Sequence, residues 1–179
     1  MCRAPEVGAS RNDARSMTGN MLNAATTCAH VDLMDLAGPS DGNSTNLIAI
    51  HEASHAALYM LAGRQHAQII ELRADDSCGH CRVRYQQRNP HAIIAGYVGE
   101  MRVLEGQDWR PTPEMFSLNL HLQDIADAAA LVGLDGLPGL WDETALVVDT
   151  AWDRIQAVAA ALSVAGVLSG DEVEAIWAP

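Results

Sequence analysis

Lysine is missing altogether from these 179 residues: all 11 basic residues are arginine, set against 23 acidic ones, for a net charge of −12. Without lysine the chain cannot carry the Gly-x-x-x-x-Gly-Lys-Ser/Thr phosphate loop, so no P-loop ATPase module is present. The acidity argues against nucleic acid or an anionic membrane as the main partner. Aromatic residues are scarce, at 4% with a single phenylalanine. With abundant alanine and long stretches at helical spacing, that scarcity favours a mainly helical fold. No run of about 18 apolar residues goes without polar interruption, which predicts no transmembrane helix. The N-terminus lacks a basic-then-apolar signal pattern, and the expectation is a soluble, cytoplasmic protein. What is present, 49% apolar and 19% charged residues, is the balance of a globular chain long enough for one domain with a real core.

Residues 1–43 are rich in Ala, Ser, Asn, Asp, Gly and Thr, and AGPSDGNST closes the segment. They read as a flexible polar tail, with one short helix around Ala29 to Leu36 as its only candidate element. The folded domain is expected over 44–179. Leu47 to Leu61 has no helix breaker, Ser44 or Thr45 can cap its start, and Gly63 can end it. AQIIELR and CRVRY, separated by turn residues, predict a β-hairpin over roughly 67–86. Pro90 opens a helix expected to reach Glu105 and stop at Gly106. A further helix runs from Thr112 and Pro113 through LNLHLQDIADAAALVGL, and DGLPG breaks it. Trp141 to Val167 shows helical spacing, and SGDEVEAIW reads as a short helix capped by Ser169 or Asp171. The sum is one hairpin and about five helices, a mainly α fold with a small sheet.

Chemistry concentrates at His51-Glu-Ala-Ser-His55, inside the apolar stretch LIAIHEASHAALYMLAG. On a helix, positions i and i+4 share a face one turn apart. His51 and His55 can therefore point two imidazole nitrogens at one metal ion. Glu52 beside them can take a proton from a metal-activated water, which is the core arrangement of a zinc peptidase. A helix apolar almost all round is expected to be buried, and buried imidazoles and a carboxylate are costly without partners. A catalytic zinc ion has three protein ligands and an open position. A third histidine six residues after His55 would complete one common pattern, but position 61 is leucine. Glu100 and Glu105 in GYVGEMRVLEG remain as candidates, as do Asp124 and Asp127 in LQDIADAAALV, with His121 close by. Spacing alone does not choose among them.

The strings AIHEASHAAL, AGYVGEMRVLEG, LQDIADAAALV and LSVAGVLSGDEVEAIW, in that order, make residues 46–177 resemble the peptidase domain of the FtsH-type ATP-dependent zinc metalloproteases. The resemblance implies a helical zincin-like fold and a Zn²⁺ ion held by His51, His55 and Asp124. It implies Glu52 as general base and polypeptides as substrates. Glu100 then falls on the helix beside the site, at a position that is not a ligand. Ser54 and Gln123 stand where the family has Gly and Asn, and the three residues Val98-Gly99-Glu100 replace its Ala-Ala-Glu. With the ATPase half absent, a separate ATPase partner or a homo-oligomer is expected only by analogy. The alternative from another class is a non-catalytic interaction or regulatory module on the same fold. Glu52 argues against it, because a purely structural metal site needs no base.

Cys78-Gly-His-Cys81 matches the Cys-x-x-Cys of dithiol oxidoreductases, but that site needs the motif at a helix N-terminus within a βαβ unit. Here it leads into a strand, and the favoured reading is two reduced thiols at a turn, ahead of a hairpin-tip disulfide or a metal knuckle shared between molecules. The hairpin itself can offer an edge to an extended peptide or merely cover the first helix. The four tryptophans are expected to pack the C-terminal helices.

Overall fold

Four alanines of the first helix, Ala49, Ala53, Ala56 and Ala57, have no exposed surface, and their small side chains let every neighbour come close to its backbone. The computed structural model describes residues 23–25, 47–63, 67–75, 79–85, 87–120 and 122–178. In chain order its elements are β1 (Asn23–Ala25), α1 (Leu47–Ala62), β2 (Ala67–Ala74), β3 (Gly79–Tyr85), α2 (Pro90–Glu105), α3 (Pro113–Leu118), α4 (Gln123–Val132), a single 3₁₀ turn (Leu134–Gly136), α5 (Leu137–Thr150), α6 (Trp152–Ala165), β4 (Val167–Ser169) and α7 (Gly170–Trp177). The fold is mainly α with a small antiparallel sheet, as the sequence predicts. Among the described residues no helix is long and apolar enough to cross a membrane.

Helix α1 is the centre. It packs on α2, on β2 and β3, and on α6. The sheet order is β1-β3-β2-β4, all neighbours antiparallel. The hairpin β2–β3 pairs Ala67 with Tyr85 and Ala74 with Gly79, with a register shift between Ile69 and Glu71. Ile69, Leu72, Cys81 and Val83 are buried in the core. Of the segment expected to be a tail, Asn23–Ala25 lies against β3. The rest of 1–43, including the candidate helix at 29–36, lies outside the described residues, as do the caps Ser44 and Thr45.

Three expectations need correction. The helix foreseen from 112 onward is two helices, α3 and α4. Leu118, Leu120 and Leu122 alternate with polar residues, a period of two that offers no continuous helical face. The chain turns there, with the Asn119 N–H on the carbonyls of Met115 and Phe116 and the Leu122 N–H on the Asn119 carbonyl. The break at DGLPG is shorter than foreseen: Pro138 lies in the first turn of α5, where a missing N–H costs nothing. The stretch expected as one helix over 141–167 is divided at Ala151 into α5 and α6, and Val167–Ser169 leaves helix altogether to pair with β2. By contrast, α2 starts at Pro90 and ends at Glu105 before Gly106, as foreseen, with Asn89 capping it through the His91 N–H. Ser169 and Glu172 form a capping box on α7. Trp141 is the aromatic hub, edge-on to Tyr97, Trp109 and Phe116 with centroids 5.4–6.0 Å away.

Candidate metal centre

His51 and His55 project from one face of α1 towards α2 and α4, as their spacing of four requires. The break between α3 and α4 places Asp124 in the first turn of α4, 4% exposed and facing them. Asp124 Oδ2 lies 3.1 Å from His51 Nε2 and 3.3 Å from His55 Nε2, and the two Nε2 atoms are 3.0 Å apart. Donors on a tetrahedral ion with bonds of about 2.0 Å stand about 3.3 Å from one another. The three side chains form a group that could hold a metal ion.

What lies behind the histidines decides which way their lone pairs point. His55 Nδ1 is 2.6 Å from the Ala92 carbonyl oxygen, which can only accept, so Nδ1 carries the proton. His51 Nδ1 is 3.0 Å from Glu100 Oε1 and donates to that carboxylate. In the neutral rings both Nε2 atoms then present lone pairs to each other and to a carboxylate oxygen. Such a cluster repels itself unless a positive charge stands in its midst. Asp124 Oδ2 is buried and has no hydrogen-bond partner despite the nitrogens beside it. The electrostatics agree. Burial alone would lower the His51 pKa, but the charges of Glu100 and Asp124 outweigh it and raise it well above the ordinary value. His55 is raised against burial by Asp124. Burial would raise Asp124, but His55 and His51 hold it far below the usual carboxylate range. The pocket favours cations, as protons on the imidazoles or as a metal ion between them.

Glu52 is 5% exposed, and its Oε2 is buried without a hydrogen-bond partner. Burial raises its pKa, and the nearby His51 and His55 oppose that rise. Two glycines make room. A Cβ at Gly96 would stand 2.5 Å from Nε2 of both His51 and His55, and one at Gly79 would stand 2.6 Å from Glu52 Oε1. Ser54 donates to the Ile50 carbonyl and fills the space left by the missing side chain of Gly99.

The other candidates stand elsewhere. Glu100 touches the back of His51, in agreement with its expected place beside the site. Glu105 is exposed at the end of α2, and Asp127 is held outward by Arg88 and Gln123. His121 and Cys78 lie outside the described residues. Cys81 is not at the turn but within β3, 2% exposed, and burial together with the Glu52 charge pushes its thiol well up. A reactive thiol needs the opposite environment. Sequence reasoning missed Gly79, Gly96 and the Ala92 carbonyl. The one signal available was the small-residue spacing of Ala92, Gly96 and Gly99 along α2, which lets that helix approach the imidazoles. No protein-family model matches the chain, and no curated protein matches it.

Proposed function

We propose that this protein is a zinc-dependent metalloendopeptidase that hydrolyses polypeptides, with His51, His55 and Asp124 as zinc ligands and Glu52 as general base. The observation that carries the reading is the convergence of two imidazole lone pairs and a carboxylate oxygen beside a buried carboxylate that has an unpartnered oxygen. The order of motifs that resembles the FtsH-type peptidases supports it. A bound zinc ion would supply polarisation of the scissile carbonyl and a lowered pKa for water.

The chain's own residues do the rest. The Ala92 carbonyl and Glu100 hold the two imidazoles in the tautomer whose Nε2 atoms are free to bind metal. Glu52, its basicity raised by burial, accepts the proton of the attacking water and returns it to the leaving amine. With no phosphate loop, the chain itself performs no ATP-driven unfolding. It acts on segments already extended, or delivered by a separate ATPase.

The burial of all four residues, at 3–8% exposure, favours one second reading, a metal-stabilised interaction module without turnover. Metal content and casein hydrolysis, measured on the wild type and on Asp124→Ala, test the proposal. One zinc per chain, lost together with cleavage in the variant, is the expected result. Zinc kept by the variant would move the third ligand to another residue such as Glu100, and zinc in a wild type that cleaves nothing would favour the interaction module.

A further inference from the structure

The sheet carries a relation between the N-terminal residues and the candidate site. Among the described residues, β3 without β1 is an edge strand of the sheet, and its Gly79 end lies against the proposed base, since a side chain there would collide with Glu52. An edge strand presents unpaired N–H and C=O groups and captures extended peptides through the main chain, whatever their sequence. Here the edge is taken by the chain itself. Asn23, Ala24 and Ala25 pair antiparallel with Arg84, Val83 and Arg82. Only Gly79, His80 and Cys81 of β3 lie between that pairing and the Glu52 end, a length of about 10 Å at the rise of an extended strand. Three residues is the short end of strand pairing, and most strands pair over about five to six. A peptide laid along β3 far enough to be held there meets Asn23–Ala25.

We propose that Asn23–Ala25 is an intramolecular competitor for the peptide-binding edge of β3, so that the protein is restrained by its own N-terminal residues until an extended substrate displaces them. The role of that edge in turnover rests on the peptidase reading. Its occupancy by β1 does not. The contact is suited to reversible release, because it is three residues long, and Ala24 and Ala25 belong to a residue type depleted in strands. Displacement exchanges one set of ladder hydrogen bonds for another, which makes it a competition between similar partners rather than an unfolding step.

The test uses the full chain carrying Glu52→Gln, so that binding is read without turnover. Adjacent N–H groups of a strand point to opposite sides, so Ala24→Pro combined with Ala25→Pro removes one donor facing β3 whichever register face it occupies. The expected result is a fall of roughly tenfold in the Kd for fluorescein-labelled casein, the scale of one or two ladder bonds. Faster amide exchange within Arg82–Arg84 should accompany it, at unchanged zinc content and circular dichroism. Ala24→Val with Ala25→Val, which raises strand propensity, should shift Kd the other way. An unchanged Kd in the proline variant, with or without faster exchange, overturns the proposal, and so does tighter binding in the valine variant. Casein turnover by the chain with Glu52 intact is measured separately. Its absence would remove the peptidase reading while the Kd comparison still decides whether Asn23–Ala25 competes for the edge.

Discussion

Two histidine–carboxylate clusters in this molecule have nearly the same contact distances and opposite meanings. In the core, His51 Nδ1 lies 3.0 Å from Glu100, and Nε2 of His51 and of His55 lie 3.1 and 3.3 Å from Asp124. On the sheet, His80 Nε2 lies 3.2 Å from Glu71, with Arg82 at 3.8 Å from the same carboxylate. The sheet cluster keeps about a quarter of the His80 and Glu71 side chains exposed, 28% and 26%, while the core side chains are 4–11% exposed. Water therefore screens the first group and competes for its hydrogen bonds, and a pair of that kind contributes about 0–1 kcal/mol. Burial removes that alternative from the second, so every lone pair there must be answered inside the protein. Distance alone identifies neither. The difference lies in the orphaned oxygens, Asp124 Oδ2 and Glu52 Oε2, which have no counterpart on the sheet among the described residues.

The largest effect should come from removing the oxygen that closes the buried triangle. Asp124→Ala should abolish stoichiometric zinc and casein cleavage together, as read by metal analysis and a hydrolysis assay. Retention of both would make the core cluster as inconsequential as the sheet one. Next in size is Glu52→Gln, which keeps the shape of the side chain and removes the carboxylate proposed as base. Cleavage should fall by roughly 10²–10⁴-fold with zinc content unchanged. Equal cleavage by the variant would leave Glu52 a packing residue. A smaller effect is expected from Glu100→Gln, which weakens the hydrogen bond that orients His51. Zinc affinity, titrated against a competing chelator, should fall by roughly 10–100-fold. A drop as complete as that of Asp124→Ala would instead make Glu100 a ligand.

Which parts of this arrangement the sequence announced follows from how local each signal is. The bounds of α2 and the start of α7 are legible because Pro90, Gly106 and Ser169 act on their own neighbours in the chain, although the sequence left Asp171 open beside Ser169 as the cap; the Asn89 cap and the Glu172 half of the capping box came only with the structure. The His51–Glu52–His55 face is legible because helical spacing sets it. Asp124 is a different matter. It stands 69 residues after His55, and local spacing gave it no advantage over Glu100, Glu105 or Asp127; only the resemblance to a family pointed to it. The break between α3 and α4 that delivers it is marked only by a two-residue alternation of leucines, easily absorbed into a longer helical pattern. β4 was hidden for a related reason: three residues beyond Gly166 become a strand only because β2 offers them an edge. The voids at Gly79 and Gly96 were not legible, because the need for glycine arises from an imidazole or a carboxylate belonging to another element.

The smallest effect sharpens the comparison from the exposed side. The His80 hydrogen bond, more than the Arg82 charge, holds the Glu71 carboxyl below its ordinary value of 4.5. A carboxyl whose pKa is depressed in the folded state binds fewer protons there than in the unfolded chain. Its contribution is therefore present above the unfolded pKa and is lost as pH falls through the folded one. Glu71→Gln removes that contribution. The stability difference between wild type and variant, from urea unfolding, should be well under 1 kcal/mol near neutral pH, since the pair is screened by water. It should shrink towards zero as pH drops from about 5 into the range below 4.5. Added salt at neutral pH should shrink it as well, because screening acts on exposed charges and spares buried ones. A difference of several kcal/mol, insensitive to salt, would mean that the sheet cluster behaves like the buried one and that exposure does not separate them.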